Sequence, residues 1–352
     1  MGKYSDSIFL EIYGDQDLKL ATQPRKGEQK LGEKFSFPSS KELSDLEKET
    51  ARFVLVGIGE DIGVQGNYGR KGAREGWDVA FPALCNMQSN KYLSGEEILI
   101  LGKVNAEKAM DSIAELDPSI EAQAREIHLA VQALDDFISG LCAEIIKAGK
   151  TPIFIGGGHN NAYPLLKGSS QAFETEDGVN VFNCDPHADF RKIEGRHSGN
   201  GFRYAHEEGF LNRYFLMGFH ESYNNQASLD ALAKMEEDWK RVSFDSMYVR
   251  NETTLEYQLE RAVIFLRKKP TGLEIDLDSI ENMPSSAMGP SGFTPNQVRR
   301  MIYKLGYSAH CAYLHIAEGA PKYSNDQGKM LGKFMAYLIT DFVKAQNKKA
   351  SE

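Results

Sequence analysis

Val179-Asn-Val-Phe-Asn-Cys-Asp185-Pro-His187-Ala-Asp189-Phe-Arg191 is the stretch that decides the fold. Its first residues are an apolar, β-branched run of the kind that a buried strand demands. Directly behind it stand an acid, an imidazole and a second acid at intervals of two. If the strand stays extended, Asp185, His187 and Asp189 project from one face. A solvent-facing edge strand is the plain alternative, and it fits the Val-Asn-Val-Phe lead-in badly. Charge at the end of a buried strand is costly unless it is paired or bound to metal, so the spacing favours metal ligation. In open α/β sheets, sites form beyond the carboxyl ends of the strands.

Working outward, short apolar runs alternate with amphipathic stretches. Strands are expected at Phe53–Val56, Ile98–Leu101, Pro152–Ile155, Val179–Cys184, Arg213–Met217, Ser246–Val249, Leu273–Asp278 and Ala312–Ala317. Helices are expected over about 120–148, where Ile127, Val131, Leu134, Ile138, Leu141 and Ile145 recur every three or four residues, and near 160–167, 225–240, 254–267, 294–305 and 328–346. This alternation argues for an α/β fold, a mainly parallel sheet of about eight strands with helices on both faces. Residues 1–45 read as an N-terminal extension, irregular and polar from residue 14 on, ahead of one domain over 46–352.

Two further strand ends carry chemistry. Ile153-Phe-Ile-Gly-Gly-Gly-His159-Asn-Asn runs from a strand through three glycines to a histidine that opens a helix. A tight turn alone would explain the glycines, and a phosphate cradle lacks both its lysine and the GxGxxG spacing. Leu273-Glu-Ile-Asp276-Leu-Asp278 again ends a buried-looking strand in carboxylates two apart. Together the three segments offer His159, Asp185, His187, Asp189, Asp276 and Asp278. An oxygen-rich set of this kind suits Mn²⁺ or a similar ion, and six ligands fit a two-metal centre.

Composition narrows the function classes. Among 352 residues, 41 basic and 50 acidic side chains give a net charge of −9. Nucleic acid and anionic lipid are therefore not expected partners, since both need clustered positive charge. No apolar run approaches the ~20 residues that cross a bilayer, so no membrane partner is expected. The amino-terminal sequence lacks a secretory pattern, and the four cysteines form no CxxC pair. A cytoplasmic protein with reduced thiols is the expectation.

In combination, GGGHN, DPHAD, DLD and the Glu318 of HIAEGAP resemble the signatures of the ureohydrolase family (arginase, agmatinase and formimidoylglutamase), in the family's order. The Gly57–Trp77 segment is similar to an upstream loop of that family. The resemblance covers about 50–345 and implies a three-layer α/β/α, arginase-like domain, two Mn²⁺ per subunit, and assembly as a homo-oligomer, a trimer or hexamer. By that resemblance, one metal is held by His159, Asp185, Asp189 and Asp276. The other is held by His187, Asp185, Asp276 and Asp278. It implies activated water attacking the C=N carbon of a small amidine or guanidine, with Asp189 moving the proton and Glu318 pairing with the amidinium.

Within the family, Arg196-His-Ser-Gly-Asn-Gly-Phe202 resembles the substrate loop, which nominates Ser198 and Asn200 as substrate contacts and His197 as a proton carrier. Phe202 stands where arginases place a histidine. Arg191, after DPHAD, is suited to clamp a substrate carboxylate, which agmatine lacks. GGGH in place of GGDH points the same way, to N-formimidoyl-L-glutamate. Agmatinase, arginase and other guanidino-acid hydrolases remain the alternatives. A single-zinc deacetylase or a non-catalytic relative would be expected to lack several of these ligands.

Overall fold

In the computed structural model, which describes residues 3–351, nine strands of the described chain assemble into one sheet. They are β1 (Phe9–Ile12), β2 (Phe53–Gly59), β3 (Ile98–Asn105), β4 (Thr151–Ile155) and β5 (Val179–Cys184). β6 (Leu211–Phe219), β7 (Trp239–Ser243), β8 (Thr271–Asp276) and β9 (Cys311–Ala317) complete it. The order across the sheet is β1-β3-β2-β4-β9-β8-β5-β6-β7. All pairings are parallel except that of β1 with β3.

Strand periodicity builds the layers. Phe53 and Leu55 of β2, Ile153 and Ile155 of β4, and Leu273 and Ile275 of β8 face one apolar layer. The Gly76–Cys85, Leu255–Leu266, Pro295–Ser308 and Lys329–Ser351 helices pack there. Val54, Val56, Phe154 and Val181 face the opposite layer, under the Glu121–Lys147, Ala162–Ala172 and Gly201–Glu207 helices. The result is a three-layer α/β/α sandwich, with both sheet faces covered as parallel strands require.

Several elements depart from the sequence reading. Ser246–Val249 is not a strand: Asp245–Val249 forms a π-turn, in which the Ser246 amide donates to Ser243 Oγ at 3.0 Å. The strand lies earlier, at Trp239–Ser243, and the expected 225–240 helix stops at Ala233. Lys240 and Arg241 disguise that strand, since charge is what an edge strand carries to repel further pairing. The Gly76–Cys85 helix was hidden by its Gly76 and internal Pro82. β1 adds at the opposite edge, and between it and β2 lie the short Asp15–Ala21 helix, 3₁₀ turns, and single bridges of Lys30 to Gln88 and Ser36 to Leu99.

β1 meets a bulge. Leu55 pairs with Ile100 and Val56 with Gly102, so Leu101 is the extra residue on β3. Gly102 has φ +142°, and a Cβ there would come 1.9 Å from the Glu11 carbonyl oxygen. Gly102→Val is therefore expected to dislodge β1. Stability should fall by about 1–3 kcal/mol, and hydrogen exchange should accelerate at residues 9–12. Unchanged exchange there would count against this account.

Candidate metal centre

Four strands deliver the polar residues to one end of the sheet. β4 ends at Ile155 and turns through Gly156 and Gly157, at φ +92° and +75°, conformations open to glycine. Buried Glu60 pins this turn, accepting from the Gly158 amide at 3.0 Å and Asn161 Nδ2 at 2.6 Å. His159 is thereby aimed at the ends of β5 and β8.

The DPHAD run does not stay extended. β5 stops at Cys184, and the His187 amide turns back to Asp185 Oδ1 at 2.6 Å. Asp189 sits at φ +45°. β8 likewise ends at Asp276, whose Oδ1 accepts the Asp278 amide at 2.7 Å and opens a 3₁₀ turn. The side chains converge through these bends, and not by projecting from one strand face.

His159 Nδ1 lies 3.1 Å from Asp185 Oδ2, 3.1 Å from Asp189 Oδ2 and 3.2 Å from Asp276 Oδ2. It is nonetheless aligned for a hydrogen bond with none of them. Four donors around a shared point, with no line to any one proton, form the geometry of a cation nest. A second group joins His187, Asp276 and Asp278, and His187 Nδ1 is 3.4 Å from Asp185 Oδ1. Asp276 belongs to both groups.

Electrostatics agree. Burial, then the Asp278 and Asp185 charges, push Asp276 well above the carboxylate range. Burial, then Asp185, raises Asp189, and burial raises Asp278. Burial would lower both histidines, but their carboxylate neighbours win, holding His159 well up and His187 at about 10. Burial would raise Asp185, yet His159 and His187 hold it low. The cluster thus retains protons that divalent cations would replace. Two histidines with buried, hard carboxylates fit a pair of such cations.

Glu318 follows β9 at φ +66° and accepts the His159 amide through Oε1 at 2.7 Å. Its Oε2 has no hydrogen-bond partner. Burial, then Asp278, raises its carboxyl to about 8; a nearby cation favours the charged form. Asp189 and Glu318 are both held in left-handed backbone, a strain that clusters at functional sites.

A cavity of about 250 Å³ opens onto these groups, lined by His187, Asp189, Asp276, Asp278 and Glu318. Asn67, Arg191, Ser198, Tyr223 and Asn225 also line it. A larger groove, about 730 Å³, runs between the Gly76–Cys85 and Lys329–Ser351 helices and touches none of the candidate metal groups.

A match to the Arginase family profile spans residues 51–342. The chain belongs to the arginase family. It is a hydrolase acting on C–N bonds of linear amidines. The formimidoylglutamase of Streptococcus pyogenes serotype M1 is 25% identical over 305 residues, covering 83% of this chain and 85% of that protein. Among solved structures, Bacillus subtilis formimidoylglutamase superposes with a TM-score of 0.70 at 16% identity, covering 96% of both chains. Trypanosoma cruzi formiminoglutamase with Mn²⁺ gives 0.68 at 20% identity, covering 90% of this chain and 98% of that one. A hypothetical agmatinase from Burkholderia thailandensis gives 0.66 at 17% identity, covering 89% and 90%. These superpositions show that the chain shares the fold of those proteins.

Two expected site residues of this hydrolase are placed away from the cavity. His197 is buried, accepts the Gly199 amide on Nδ1 at 3.1 Å, and so caps the Ser198–Asn200 turn. Burial, then Arg191 and Arg196, lowers it to about 3, so it stays neutral. Asn200 spends its amide within the loop, accepting from Arg196 and His197 and donating to Gly195 O at 2.8 Å. Phe202 is buried against the His159 ring, centroids 5.3 Å apart.

Other residues escaped the sequence reading. Arg196, itself buried, pairs with Asp135 and donates to Asn160 O at 2.8 Å. Asn183 Nδ2 donates to Asp185 Oδ2 at 3.1 Å. Glu274 and His315 lie fully buried behind His159. A signal existed for Glu274: it continues the interval-of-two series of Asp276 and Asp278 one step inward.

Proposed function

We propose that this arginase-family hydrolase is a two-manganese enzyme converting N-formimidoyl-L-glutamate and water to glutamate and formamide. In this reading His159, Asp185, Asp189 and Asp276 hold one ion; His187, Asp185, Asp276 and Asp278 hold the other. The ions, when bound, supply water acidic enough to act as a nucleophile near neutral pH, its pKa lowered from ~16 to about 7. The chain's own residues do the rest. Glu318 Oε2, free of other partners, meets the amidinium N–H and orients its carbon, a charge-assisted contact. Asp189 carries the proton from the attacking oxygen to the glutamate nitrogen as the C–N bond breaks.

Arg191 carries the choice of substrate. It is the single arginine or lysine among the described residues lining the cavity. The carboxylates of the lining are Asp189, Asp276 and Asp278, which belong to the candidate metal groups, and Glu318, which accepts the His159 amide. Glu194 lies 3.9 Å from Arg191 but outside the lining. A substrate with carboxylates at its non-reacting end suits this guanidinium, with Ser198 as a further donor. The ammonium of agmatine would face Arg191 unfavourably. The four cysteines, all free and buried, support a reducing cytoplasm as the setting. The family resemblance supports a homo-oligomer, a trimer or hexamer, which sedimentation would size.

The test is to incubate Mn²⁺-loaded protein with N-formimidoylglutamate, arginine and agmatine, measuring formamide, urea and ammonia. Formamide from the first substrate is expected; preferred release of urea from either of the others overturns the reading. Arg191→Ala should raise KM for formimidoylglutamate roughly 10–100-fold, the loss of one charged hydrogen bond, with kcat little changed. An unaltered KM would remove Arg191 from the substrate site.

A further inference from the structure

Behind the His159 ring lies a buried polar cluster that the proposed reaction does not use. Glu274 is an interior residue of β8, fully buried, and pairs in register with His315 of β9. A carboxylate there is costly without donors, and it has two. Tyr313 O–H donates to Oε1 at 2.8 Å, and His315 Nδ1 lies 2.6 Å from Oε2. The other nitrogen of His315 is 3.2 Å from the Gly156 carbonyl, in the turn that carries His159. The clamp therefore ties two neighbouring strands to the glycine turn.

What the clamp holds is aimed at His159. Glu274 Oε2 stands 3.4 Å from His159 Nε2, which has no aligned hydrogen-bond partner. An imidazole can offer a lone pair at Nδ1 only if Nε2 keeps the proton, and an acceptor behind the ring enforces that tautomer. A carboxylate is acceptor-only when ionised, so Glu274 serves where a hydroxyl or amide would leave the ring free to flip. Phe202 closes the ring edge-on at 5.3 Å.

We infer that Glu274, clamped by Tyr313 and His315, is a positioning residue that fixes the tautomer and orientation of His159 from behind the metal centre. The inference rests on the two-metal reading above. His159 would offer Nδ1 to a cation shared with Asp185, Asp189 and Asp276, and Glu274, 3.4 Å from Nε2, would hold the ring in that orientation.

Titration of metal-free protein with Mn²⁺, by calorimetry and by metal analysis after gel filtration, tests this. Wild-type protein should bind two ions. Glu274→Gln should weaken one of them roughly 10–100-fold, leaving the other near its wild-type affinity, and should lower kcat more than KM. Tyr313→Phe, which removes one arm of the clamp and keeps the carboxylate, should weaken the same ion by a smaller factor. Wild-type affinity in a folded Glu274→Gln protein overturns the inference, even if its melting temperature falls, since a merely structural role would move stability alone. If Glu274→Gln fails to fold, wild-type metal affinity in Tyr313→Phe overturns it instead. Wild-type protein that binds fewer than two ions defeats the two-metal reading, and the inference with it; intact wild-type binding with unaffected variants defeats the inference alone.

Discussion

Asp276→Asn should lower turnover by at least about 10³-fold, because in the proposed two-metal reading water is activated near neutral pH by cations that this carboxylate would help to hold. Asp276 is common to two candidate metal groups, that of His159, Asp185 and Asp189 and that of His187 and Asp278. Asparagine matches its shape and can still accept the Asp278 amide, which Asp276 Oδ1 takes at 2.7 Å. The local turn should therefore survive, and the loss should fall on metal retention. Metal analysis of the purified variant should show fewer than two ions, while its unfolding curve stays close to wild type. Full activity with two retained ions would show that the bridging role belongs elsewhere.

Arg196→Met should be the most destabilising of the substitutions considered, at about 3–5 kcal/mol. The guanidinium is buried and holds Asp135 through two contacts, of 2.9 and 3.2 Å. It also stacks on Tyr163, 4.5 Å from the ring centre. Burial has already raised the Asp135 carboxyl to about 6 despite that partner. Removing the arginine leaves an unpaired acid in the interior and a loop without its anchor, so Ser198 should lose its place on the cavity wall. Replacing both members, Arg196→Met with Asp135→Leu, should recover part of the stability, since no buried charge remains. Urea unfolding of the four proteins in that cycle measures the coupling. A cost below about 1 kcal/mol for the single variant, the range of exposed ion pairs, would reject the argument.

Much of the fold was legible because buried parallel strands are written as short apolar runs. Val179–Cys184 and Thr271–Asp276 are examples, hidden on both faces. What was lost lay at the sheet margins. Trp239–Ser243 carries charge in its middle, and Phe9–Ile12 is four residues long with one face open to solvent. Neither presents the apolar continuity that marks an interior strand. The centre was legible for a different reason: charge at the end of an apolar run has few innocent explanations. The bends after Cys184 and Asp276 were not legible, since they depend on side chains accepting amides two residues on. Nor could local sequence separate Ser198, which reaches the cavity, from Asn200 in the same turn, which does not. That difference is set by Arg196 and its distant partner Asp135.

The place of β9 constrains when the enzyme can come into being. It is the last strand made and lies between β4 and β8. Until it docks, the turn bearing His159 and the strand bearing Asp276 belong to separate halves with no shared edge. The group around His159 therefore cannot close before about residue 317 has been made, whereas His187, Asp276 and Asp278 stand at the ends of β5 and β8, which pair directly. Completion of the His159 group is thus a late event in the life of each molecule, and a chain that ends before β9 lacks it.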